Sequence, residues 1–550
     1  MKVSGVFFRT VALAAALGFA AACDDDDDGN GPSVPATPTG LAATLQDDGS
    51  VDVSWDAVDD ATSYVLERNV DGGDFTEVGG SLTTASFDDT DIEDGVEYRY
   101  HVAAVNAIGT SPFSSAVSVT TEGPAVATLD ADVTADRTLF ADTTYTLSGF
   151  VKVQDGATLT VEPGTTILGD AATPGSSLWI LRGARIVADG TAEAPIVFTS
   201  SNPAGSRAPG DWGGIVIVGN GIINRSGVVF TEGPVEEQED YGGGTDNTDD
   251  SGILRYVRIE FAGYDVSFGN NTELNALSSY AVGSGTTYEF IEALAGLDDS
   301  FEFWGGAVDS RFMVSYESGD DHFDTSEGHV GRHQFLIGFQ STRLEPAPGA
   351  GEIASDPQGF EMDGCAGTGC DAGTRSEPFT NPLFANVTMV LNPAEPQTSG
   401  GRGLVLRRGH LGFLTNLILA NSSTFAVSVR DTSVTLADRD SANVVNLILA
   451  GNAAAYEPSE DNPAFDFETL FAADNHRTAD AATDVLTNVT AGSFDWTPIG
   501  DAATGCDVVE IPAEYNVSDF FGETLTLPAY CGAVAPGETW YEGWTSYATE

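Results

Sequence analysis

Hydrophobic and polar residues alternate with a period of two in the N-terminal part of the chain, a pattern typical of half-buried β-strands. Val51 and Val53 fall on one face of a predicted strand, and Tyr64 and Leu66 fall on one face of the next. Short segments rich in Asp and Gly, which favour tight turns, separate these runs. The pattern predicts an all-β module of short strands over residues 38–121.

A second pattern begins at about residue 125, where hydrophobic runs of four to six residues recur between Gly, Asn and Asp without a helical period of useful length. Within it an acidic motif repeats. Asp298–Glu302 and Asp320–Asp324 are 22 residues apart, and residues 358–361 form a degenerate third copy. A spacing of this length fits one turn of a β-solenoid.

An asparagine followed by a hydrophobic run forms a second repeat. Asn386, Asn416 and Asn446 are spaced 30 residues apart, and Asn488 begins a weaker fourth copy. In a parallel β-helix, successive coils stack about 4.8 Å apart, so equivalent residues align into ladders. The two repeats predict a large right-handed parallel β-helix over residues 125–550. A β-propeller, the main alternative, requires repeats of roughly 40–50 residues, which the sequence does not show.

The beginning of the chain predicts export. Lys2 and Arg9 precede an apolar run, Val11–Ala22, that ends in small residues at Cys23. This order is typical of a secretory signal peptide, here residues 1–22, followed by a lipid-attachment cysteine. The four residues ending at Cys23 resemble the bacterial lipobox, although Ala stands where Leu is usual; ordinary signal cleavage beside an incidental cysteine is the alternative. The run is shorter than the roughly 20 residues that span a bilayer, so we expect a lipid anchor rather than a transmembrane helix.

The residues that follow Cys23 predict where the protein is displayed. Five aspartates, Asp24–Asp28, resemble the surface-export signal of some Gram-negative lipoproteins. The alternative is a solvated spacer that repels itself and stays extended. Residues 23–37 as a whole form an acidic linker rich in Gly and Pro. We therefore expect a lipid-anchored protein of the outer membrane or cell surface.

The charge of the chain narrows the range of partners. Asp and Glu number 83 against 22 Lys and Arg, which gives a net charge of −61. Such a surface repels nucleic acid and attracts divalent cations or basic partners. Adaptation to a saline habitat is a second explanation for the acidity. The hydrophobic content of 41% is nevertheless sufficient for a folded core.

Four cysteines besides Cys23 fit two disulfides, as expected in an oxidising compartment. Cys365 and Cys370 enclose a short flexible loop, and Cys506 and Cys531 flank a segment that we predict to be β-rich. Zinc binding by the four thiolates is the alternative, but no paired Cys-x-x-Cys spacing supports it.

Residues 38–121 resemble a fibronectin type III domain. The resemblance implies that Trp55 is the core tryptophan of the second strand, and that the hydroxyl of Tyr98 forms the tyrosine corner. Such modules are often spacers, and no Arg-Gly-Asp tripeptide is present. We therefore expect this module to be a stalk that holds the larger domain away from the membrane.

The larger module resembles a family of bacterial outer-membrane-associated lipoproteins across most of residues 130–550. The motifs that carry the resemblance are Gly210–Gly214, Ser251–Glu260, Asp298–Gly306 and Gly543–Thr545. The resemblance implies a β-helix-like body in a surface setting and no established chemistry. The predicted fold class is thus all-β, a fibronectin type III sandwich followed by a large, pectin-lyase-like parallel β-helix.

The acidic repeat supplies the best candidate site. If the two copies stack, their carboxylates crowd together, and such a group is stable only if exposed, protonated or bridged by a cation. Calcium is the natural bridge because it accepts six to eight oxygen ligands in loose geometry. The predicted calcium ligands are Asp298, Asp299, Glu302, Asp320, Asp321 and Asp324. Hydrogen-bonded turn aspartates without a metal are the alternative, and the 246–250 loop is a weaker second candidate that lacks the EF-hand glycine.

The same carboxylates allow an enzymatic hypothesis. His322, His329 and Arg332 follow the second acidic copy, and paired carboxylates with a proton donor suit polysaccharide cleavage. Neighbouring aromatic residues are either a sugar-stacking platform or members of stacking ladders; these are Phe301, Phe303, Trp304 and Phe323. The sequence contains no Gly-x-Ser-x-Gly elbow and no phosphate loop.

Two functions follow as hypotheses. The first is a lipid-anchored surface protein with a binding or structural role toward surface glycans or other surface proteins, and without nucleic-acid binding. The second is a polysaccharide lyase or glycoside hydrolase that uses the acidic coils. The sequence leaves the choice between a binding protein and an enzyme open, although it favours the first.

Overall fold

The computed structural model describes residues 33–46, 49–93, 95–121, 123, 125–266, 272–392, 400–430, 444–458, 475–516 and 519–550. The described residues form two compact units that divide between residues 124 and 125. The predicted signal peptide 1–22, Cys23 and the aspartate run lie outside the described residues. None of the described helices has the length and apolar character needed to cross a membrane.

The first unit is a sandwich of two antiparallel sheets with strand orders β1-β2-β5 and β4-β3-β6-β7. Its strands are β1 Ala42–Leu45, β2 Val51–Ser54, β3 Ser63–Val70, β4 Thr76–Leu82, β5 Ser86–Asp89, β6 Glu97–Val105 and β7 Val117–Thr120. The predicted alternation is confirmed, because Val51, Val53, Tyr64 and Leu66 are all buried between the sheets.

Trp55 and Tyr98 have the positions that the fibronectin resemblance implies. Trp55 follows β2 directly and packs edge-on against Tyr64 in the core, with 5.3 Å between the ring centroids. The hydroxyl of Tyr98 accepts a hydrogen bond from the backbone N–H of Glu93 at 2.6 Å. This bond to the chain a few residues upstream is the tyrosine corner of the fold.

The second unit is a parallel β-helix built mainly on two long sheets. The 15-stranded sheet contains β8 Ala125–Leu129, β9 Arg137–Leu139, β10 Thr143–Leu147, β12 Thr158–Val161, β13 Thr166–Gly169, β15 Arg185–Asp189, β16 Ile196–Ser200, β18 Gly252–Glu260, β22 Thr287–Leu294, β24 Asp309–Tyr316, β26 Arg332–Phe339, β28 Leu383–Val390, β30 Phe413–Ala420, β32 Val444–Ala450 and β33 His476–Ala479. All pairings within this sheet are parallel, as the predicted fold requires.

The second long sheet has nine strands: β11 Phe150–Val153, β14 Ser177–Ile180, β17 Gly214–Val218, β21 Leu277–Tyr280, β23 Phe301–Trp304, β25 Phe323–Ser326, β27 Phe360–Asp363, β29 Leu404–Arg407 and β31 Val427–Val429. Short elements complete the unit: the pairs β19 Tyr264–Asp265 with β20 Glu273–Leu274 and β34 Leu486–Asn488 with β35 Asp495–Pro498, two 3-10 turns at Gly373–Arg375 and Ala482–Asp484, and one helical turn at Asp501–Thr504. The core between the long sheets is filled by Val, Ile, Leu and Phe.

The register confirms both predicted repeat lengths. Glu302 in β23 pairs with Asp324 in β25, which is the offset of 22 residues. Leu417 in β30 pairs with Leu447 in β32, which is the offset of 30 residues. The degenerate third acidic copy is also confirmed, because Glu361 in β27 pairs with Asp324.

A ladder of bent residues runs along the 15-stranded sheet. Each long strand turns a corner at one residue of positive φ, and the strand continues on the other side of that corner. The corner residues are Tyr256, Phe290, Phe312, Phe335, Asn386, Asn416 and Asn446, followed by Asn475 just before β33. We call these eight residues the corner ladder. Asparagine suits such a corner because it tolerates the left-handed region.

The two halves of the corner ladder are held in different ways. The aromatic half stacks face to face, with 4.3 Å between the ring centroids of Tyr256 and Phe290 and 4.5 Å between those of Phe290 and Phe312. In the amide half, Asn446 donates from Nδ2 to Oδ1 of Asn416 at 2.8 Å. Stacking and amide hydrogen bonds thus each connect successive coils at the same corner.

The last 50 residues pack along the corner ladder instead of adding coils. Asn446 donates to the carbonyl of Asp507 and Asn416 to that of Pro528, while Trp544 lies edge-on against the rings of Tyr256 and Phe290. The described residues of this C-terminal segment, residues 501–550, pack on the 15-stranded sheet through two apolar clusters.

Two predictions for this region are wrong. The chain between Cys506 and Cys531 is irregular in its described residues, not β-rich, because it follows the ladder by side-chain contacts. Asn488 ends an antiparallel strand, and the fourth asparagine of the ladder is Asn475. Both predicted disulfides, Cys365–Cys370 and Cys506–Cys531, are confirmed.

We expect Asn446 to be one of the main stabilising residues of the last coils. It bonds Asn416, Asn475 and Asp507 at once, and its φ is 56°. Asn446→Ala removes these bonds and adds backbone strain, so it should destabilise the unit by about 2–4 kcal/mol. Asn446→Gly keeps the backbone relaxed and should cost about half as much. Urea unfolding followed by tryptophan fluorescence measures both, and equal midpoints for the two variants and wild type would contradict a stabilising ladder.

Candidate acidic site

The acidic repeats lie one above the other on the outside of the nine-stranded sheet. Strands β23, β25 and β27 are adjacent and in register. Phe301 and Phe323 point into the core and stack with 5.4 Å between their ring centroids. Side chains alternate along a strand, so Glu302 and Asp324 form a column on the opposite, outer face. The tight register of the buried rings therefore places the carboxylates directly above one another.

Asp299 and Asp321 form a second column in the turns that precede these strands. Oδ1 of Asp299 accepts the backbone N–H of Asp321 at 2.8 Å, and Oδ1 of Asp321 accepts the backbone N–H of Gln358. The series begins at Asn275, whose Oδ1 accepts the N–H of Asp299 at 3.1 Å. A side-chain oxygen in each coil thus holds the backbone of the next, which gives these aspartates a structural role whether or not a metal binds.

The carboxylates come close enough to share a cation. Ligand atoms within 4.8 Å of one another occur in three sets: Asp298, Asp299 and Asp320; Asp299, Glu302 and Asp324; and Asp321, Asp324 and Glu361. The structure therefore brings together all six residues predicted from the sequence and adds Glu361. We call these seven residues the acidic cluster.

Burial raises the carboxyl pKa values of the six aspartate and glutamate residues that the sequence predicted for this cluster. Burial, with repulsion from Asp356, raises the pKa of Asp320 to about 7. Burial first and neighbouring carboxylates second raise the pKa well above its usual range in Asp298, Asp299, Glu302, Asp321 and Asp324. At neutral pH such a group must take up protons or bind positive charge.

Two fully buried carboxylate oxygens in the cluster have no hydrogen-bond partner among the described residues. They are Oδ1 of Asp320 and Oδ1 of Asp324, and the Asp324 side chain belongs to a residue only 9% exposed. Unpaired buried carboxylate oxygens cost several kcal/mol unless they meet a proton or a cation. A cavity of about 40 Å³ lies beside Asp320, which is enough for a small ion or a water.

Arginines neutralise only one edge of the cluster. Arg407 forms ion pairs with Glu361 and Asp363, and Arg408 also pairs with Asp363. In the part of the chain that the structure describes, no ion pair reaches Asp298, Asp299 or Asp324. The donor set that remains is all oxygen, which is the chemistry that calcium prefers.

The histidines of the enzymatic hypothesis are not placed to act as proton donors for the acidic cluster. Burial lowers the pKa of His322 to about 3 and that of His329 to about 4, so both are neutral at pH 7. His322 bonds Ser315 at 2.5 Å, and His329 bonds His333 at 2.8 Å inside the core. Arg332 pairs with Asp309 at 3.0 Å. None of the three predicted residues therefore belongs to the metal-competent carboxylate sets.

The aromatic residues form stacking ladders and no sugar platform. Phe301, Phe303 and Phe323 are buried in the core. Trp304 stacks on Tyr280, with 4.0 Å between the ring centroids and 9° between the planes. The ladder alternative for these residues is confirmed.

The second candidate metal loop, residues 246–250, uses its carboxylates locally. Asp246 accepts the N–H of Thr248 at 2.9 Å, and Asp250 accepts the N–H of Gly252 and pairs with Arg185. Among described residues, the carboxylate sets close enough for a shared ion do not include this loop.

Sequence reasoning missed three contributors to the site. Glu361 sits in the degenerate copy and could have been found by extending the column from Asp324. Asn275 carries no acidic motif, so only the fold reveals that it begins the ladder. Glu232 lies on the long connection between β17 and β18, and its charge contributes to raising the pKa of Glu302. A loop that folds over a sheet leaves no periodic signal in the sequence.

Comparison with known proteins places this architecture in a family. Residues 131–498 match the family model described as the pectate-lyase-like β-helix domain. The chain belongs to this family. Residues 36–120 match the fibronectin type III domain, in agreement with the first unit.

Two curated relatives share only the fibronectin region with this chain. The amylopullulanase of Thermoanaerobacterium saccharolyticum is 36% identical over 84 residues, which is 15% of this chain and 6% of that protein. Exoglucanase B of Cellulomonas fimi is 40% identical over 102 residues, 18% of this chain and 9% of that protein. A solved Fn3-like protein from Clostridium thermocellum is 32% identical, with 16% of this chain and 95% of that chain covered and a TM-score of 0.15. The match thus spans less than a tenth of the length of the two curated relatives.

The raised pKa values predict that, without divalent cations, the thermal stability of the protein falls as the pH rises through neutrality. A carboxyl whose pKa is higher folded than unfolded binds more protons when folded, so stability falls as the pH rises through its folded pKa. In a chelating buffer, the melting temperature should therefore be lower at about pH 8 than at about pH 6.5, below which the buried histidines begin to oppose the trend. Asp320, with a pKa raised to about 7, contributes within this window.

Scanning calorimetry of the wild type and of Asp320→Asn measures this effect. The variant should show a smaller change between the two pH values. Asp130→Asn is the matched control, because Asp130 is exposed at the end of the first β-helix strand. A melting temperature that rises with pH in wild type would overturn the assignment.

Proposed function

We propose that this chain is a lipid-anchored protein of the outer membrane or cell surface whose acidic cluster binds calcium and thereby orders a binding face for surface glycans or other surface proteins. The observation that carries the proposal is the pair of unpartnered oxygens on Asp320 and Asp324 within a crowded, all-oxygen cluster. A divalent cation supplies what those oxygens lack and relieves the repulsion between coils.

The proposed ion bridges neighbouring coils. Glu302 and Asp324 belong to successive strands of the nine-stranded sheet, so a shared cation ties these coils together on their outer face. Backbone hydrogen bonds already join the same coils, so the coils form without the ion. The ion adds stability and fixes the positions of the carboxylates on the outer face. A face formed this way carries both fixed carboxylates and an ion, which suits hydroxyl-bearing or basic partners.

Calcium should stabilise the protein against heat. At a calcium concentration about 100 times Kd, binding to the folded state contributes about 2.7 kcal/mol, which raises the melting temperature by several degrees. Glu302→Gln combined with Asp324→Asn removes two ligands without removing the backbone-holding Asp299 and Asp321, so it should abolish the shift. Differential scanning calorimetry with calcium and with chelator measures it.

Asp130→Asn again serves as the control and should retain the full calcium shift. Magnesium tests selectivity, because it demands a small octahedral site and keeps its waters. Identical melting curves of wild type in calcium and in chelator would contradict the proposal.

The lipid anchor rests on Cys23 and the apolar run before it. In this proposal the fibronectin type III module is the stalk between the anchor and the β-helix. Wild-type protein expressed in a Gram-negative host should incorporate labelled fatty acid and enter the detergent phase on phase separation. Cys23→Ser should do neither. Protease added to intact cells should remove the wild-type protein, and membrane retention of Cys23→Ser would count against the anchor.

A second candidate function is polysaccharide cleavage at the same face. The match to the pectate-lyase-like β-helix family favours it. The position of His322 and His329 in the core removes the proton donors first considered. Release of unsaturated uronides or reducing ends from a polysaccharide panel, lost in Asp324→Asn with the fold intact, would favour this function over binding alone.

A further inference from the structure

A polar cleft lies on the 15-stranded sheet, away from the strands that carry the acidic cluster. Its cavity measures about 320 Å³, at the lower end of the range of about 300–1,000 Å³ that is common for small-molecule sites. Its floor is formed by β18, β22 and β24, and residues 519–522 of the C-terminal segment form one wall.

The floor of the cleft is a column of alternating charge. The register stacks Asp189, Arg255, Glu289 and Arg311 in successive coils. Arg255 bonds Asp189 and Glu289, each at 2.7 Å, and Nε of Arg311 donates to Glu289 at 2.6 Å. Glu289 is only 6% exposed, so its carboxylate is held at the base of the column between its two arginine partners.

The C-terminal segment completes the cleft with a second set of ion pairs. Arg332 donates from Nε to Asp309 at 3.0 Å and from Nη2 to Asp519 at 2.8 Å. The ring of Phe521 packs against the guanidinium of Arg311, with 4.3 Å to the ring centroid. Phe521 has a φ of 51°, an unusual conformation for a bulky residue, held here at the rim of a cavity.

The charges in and around the cleft are paired with one another. Arg255 pairs with Asp189 and Glu289, Arg311 pairs with Glu289, and Arg332, behind the lining, pairs with Asp309 and Asp519. A charged ligand would compete with these ion pairs for its partners, whereas a neutral hydroxyl can donate to a carboxylate and accept from a guanidinium while the pairs persist. The bonds of Arg255 and Arg311 to described residues leave one Nη group on each.

We propose that this cleft, floored by Arg255, Glu289 and Arg311 and closed by Phe521, is a binding site for a neutral saccharide. The hydroxyls of Ser284, Thr286 and Thr287 also line it and add donors and acceptors of the kind that sugar hydroxyls match. The site is independent of the acidic cluster and of calcium.

Titration calorimetry of the full chain in a chelating buffer tests the proposal. The probes are maltotetraose, cellotetraose, laminaritetraose and mannotetraose, with trigalacturonate as the anionic comparison. At least one neutral probe should bind with a Kd below about 1 mM, and trigalacturonate should bind at least tenfold more weakly. Binding of trigalacturonate as tight as that of the best neutral probe, or no binding of any neutral probe, would overturn it.

Variants locate the binding. Arg311→Lys keeps the charge that pairs with Glu289 but loses the planar fork, so it should weaken binding of the best probe at least tenfold. Phe521→Ala should weaken it as well, because Arg311 loses its support. Phe140→Ala is the matched control, since Phe140 is 51% exposed elsewhere on the β-helix. Unchanged melting temperatures show that each variant folds, and equal affinity of Arg311→Lys and Phe140→Ala would refute the site.

Discussion

The stacking of equivalent residues at the spacing of neighbouring strands is the constraint on which this structure depends. Once β22, β24, β26, β28, β30 and β32 pair in register, whatever occupies a given position in one coil meets its counterpart in the next. Stacking is favourable for the rings of Phe290 and Phe312 and for the amides of Asn416 and Asn446. For like charges the same geometry is unfavourable, because stacked charges of one sign repel each other unless they are neutralised.

The chain manages stacked charge in two ways. On the cleft side, the column alternates Asp189, Arg255, Glu289 and Arg311, so each neighbour is an opposite charge. On the nine-stranded sheet, carboxylate follows carboxylate, and Arg407 compensates only one edge. The same register therefore produces a self-neutralised surface on one sheet and a surface of largely uncompensated carboxylates on the other.

The repeats of 22 and 30 residues were sufficient to predict the β-helix, the stacking of the acidic motifs and the asparagine ladder. In a solenoid, residues one coil length apart in sequence become neighbours in adjacent coils. Three things escaped prediction for physical reasons. Aromatic residues and asparagines occupy equivalent positions in the corner ladder. The sequence does not show this equivalence, because the two residue types share no chemical pattern. Glu232 reaches the acidic cluster because it lies on a long connection between strands. Asn275 reaches it through a tertiary contact. The C-terminal segment follows side-chain contacts, which have no period.

The path of that last segment changes how the whole unit holds together. A bare solenoid has contacts only between adjacent turns, so it can fray from either end one turn at a time. Here the carbonyl of Trp544 accepts a bond from Arg258, and the N–H of Ser546 bonds Glu292, across sequence separations of 286 and 254 residues. These two bonds make the turns that contain Arg258 and Glu292 depend on Trp544 and Ser546. Loss of a terminal turn therefore also breaks contacts with distant turns, so we expect the described part of this unit to unfold as one cooperative body rather than turn by turn.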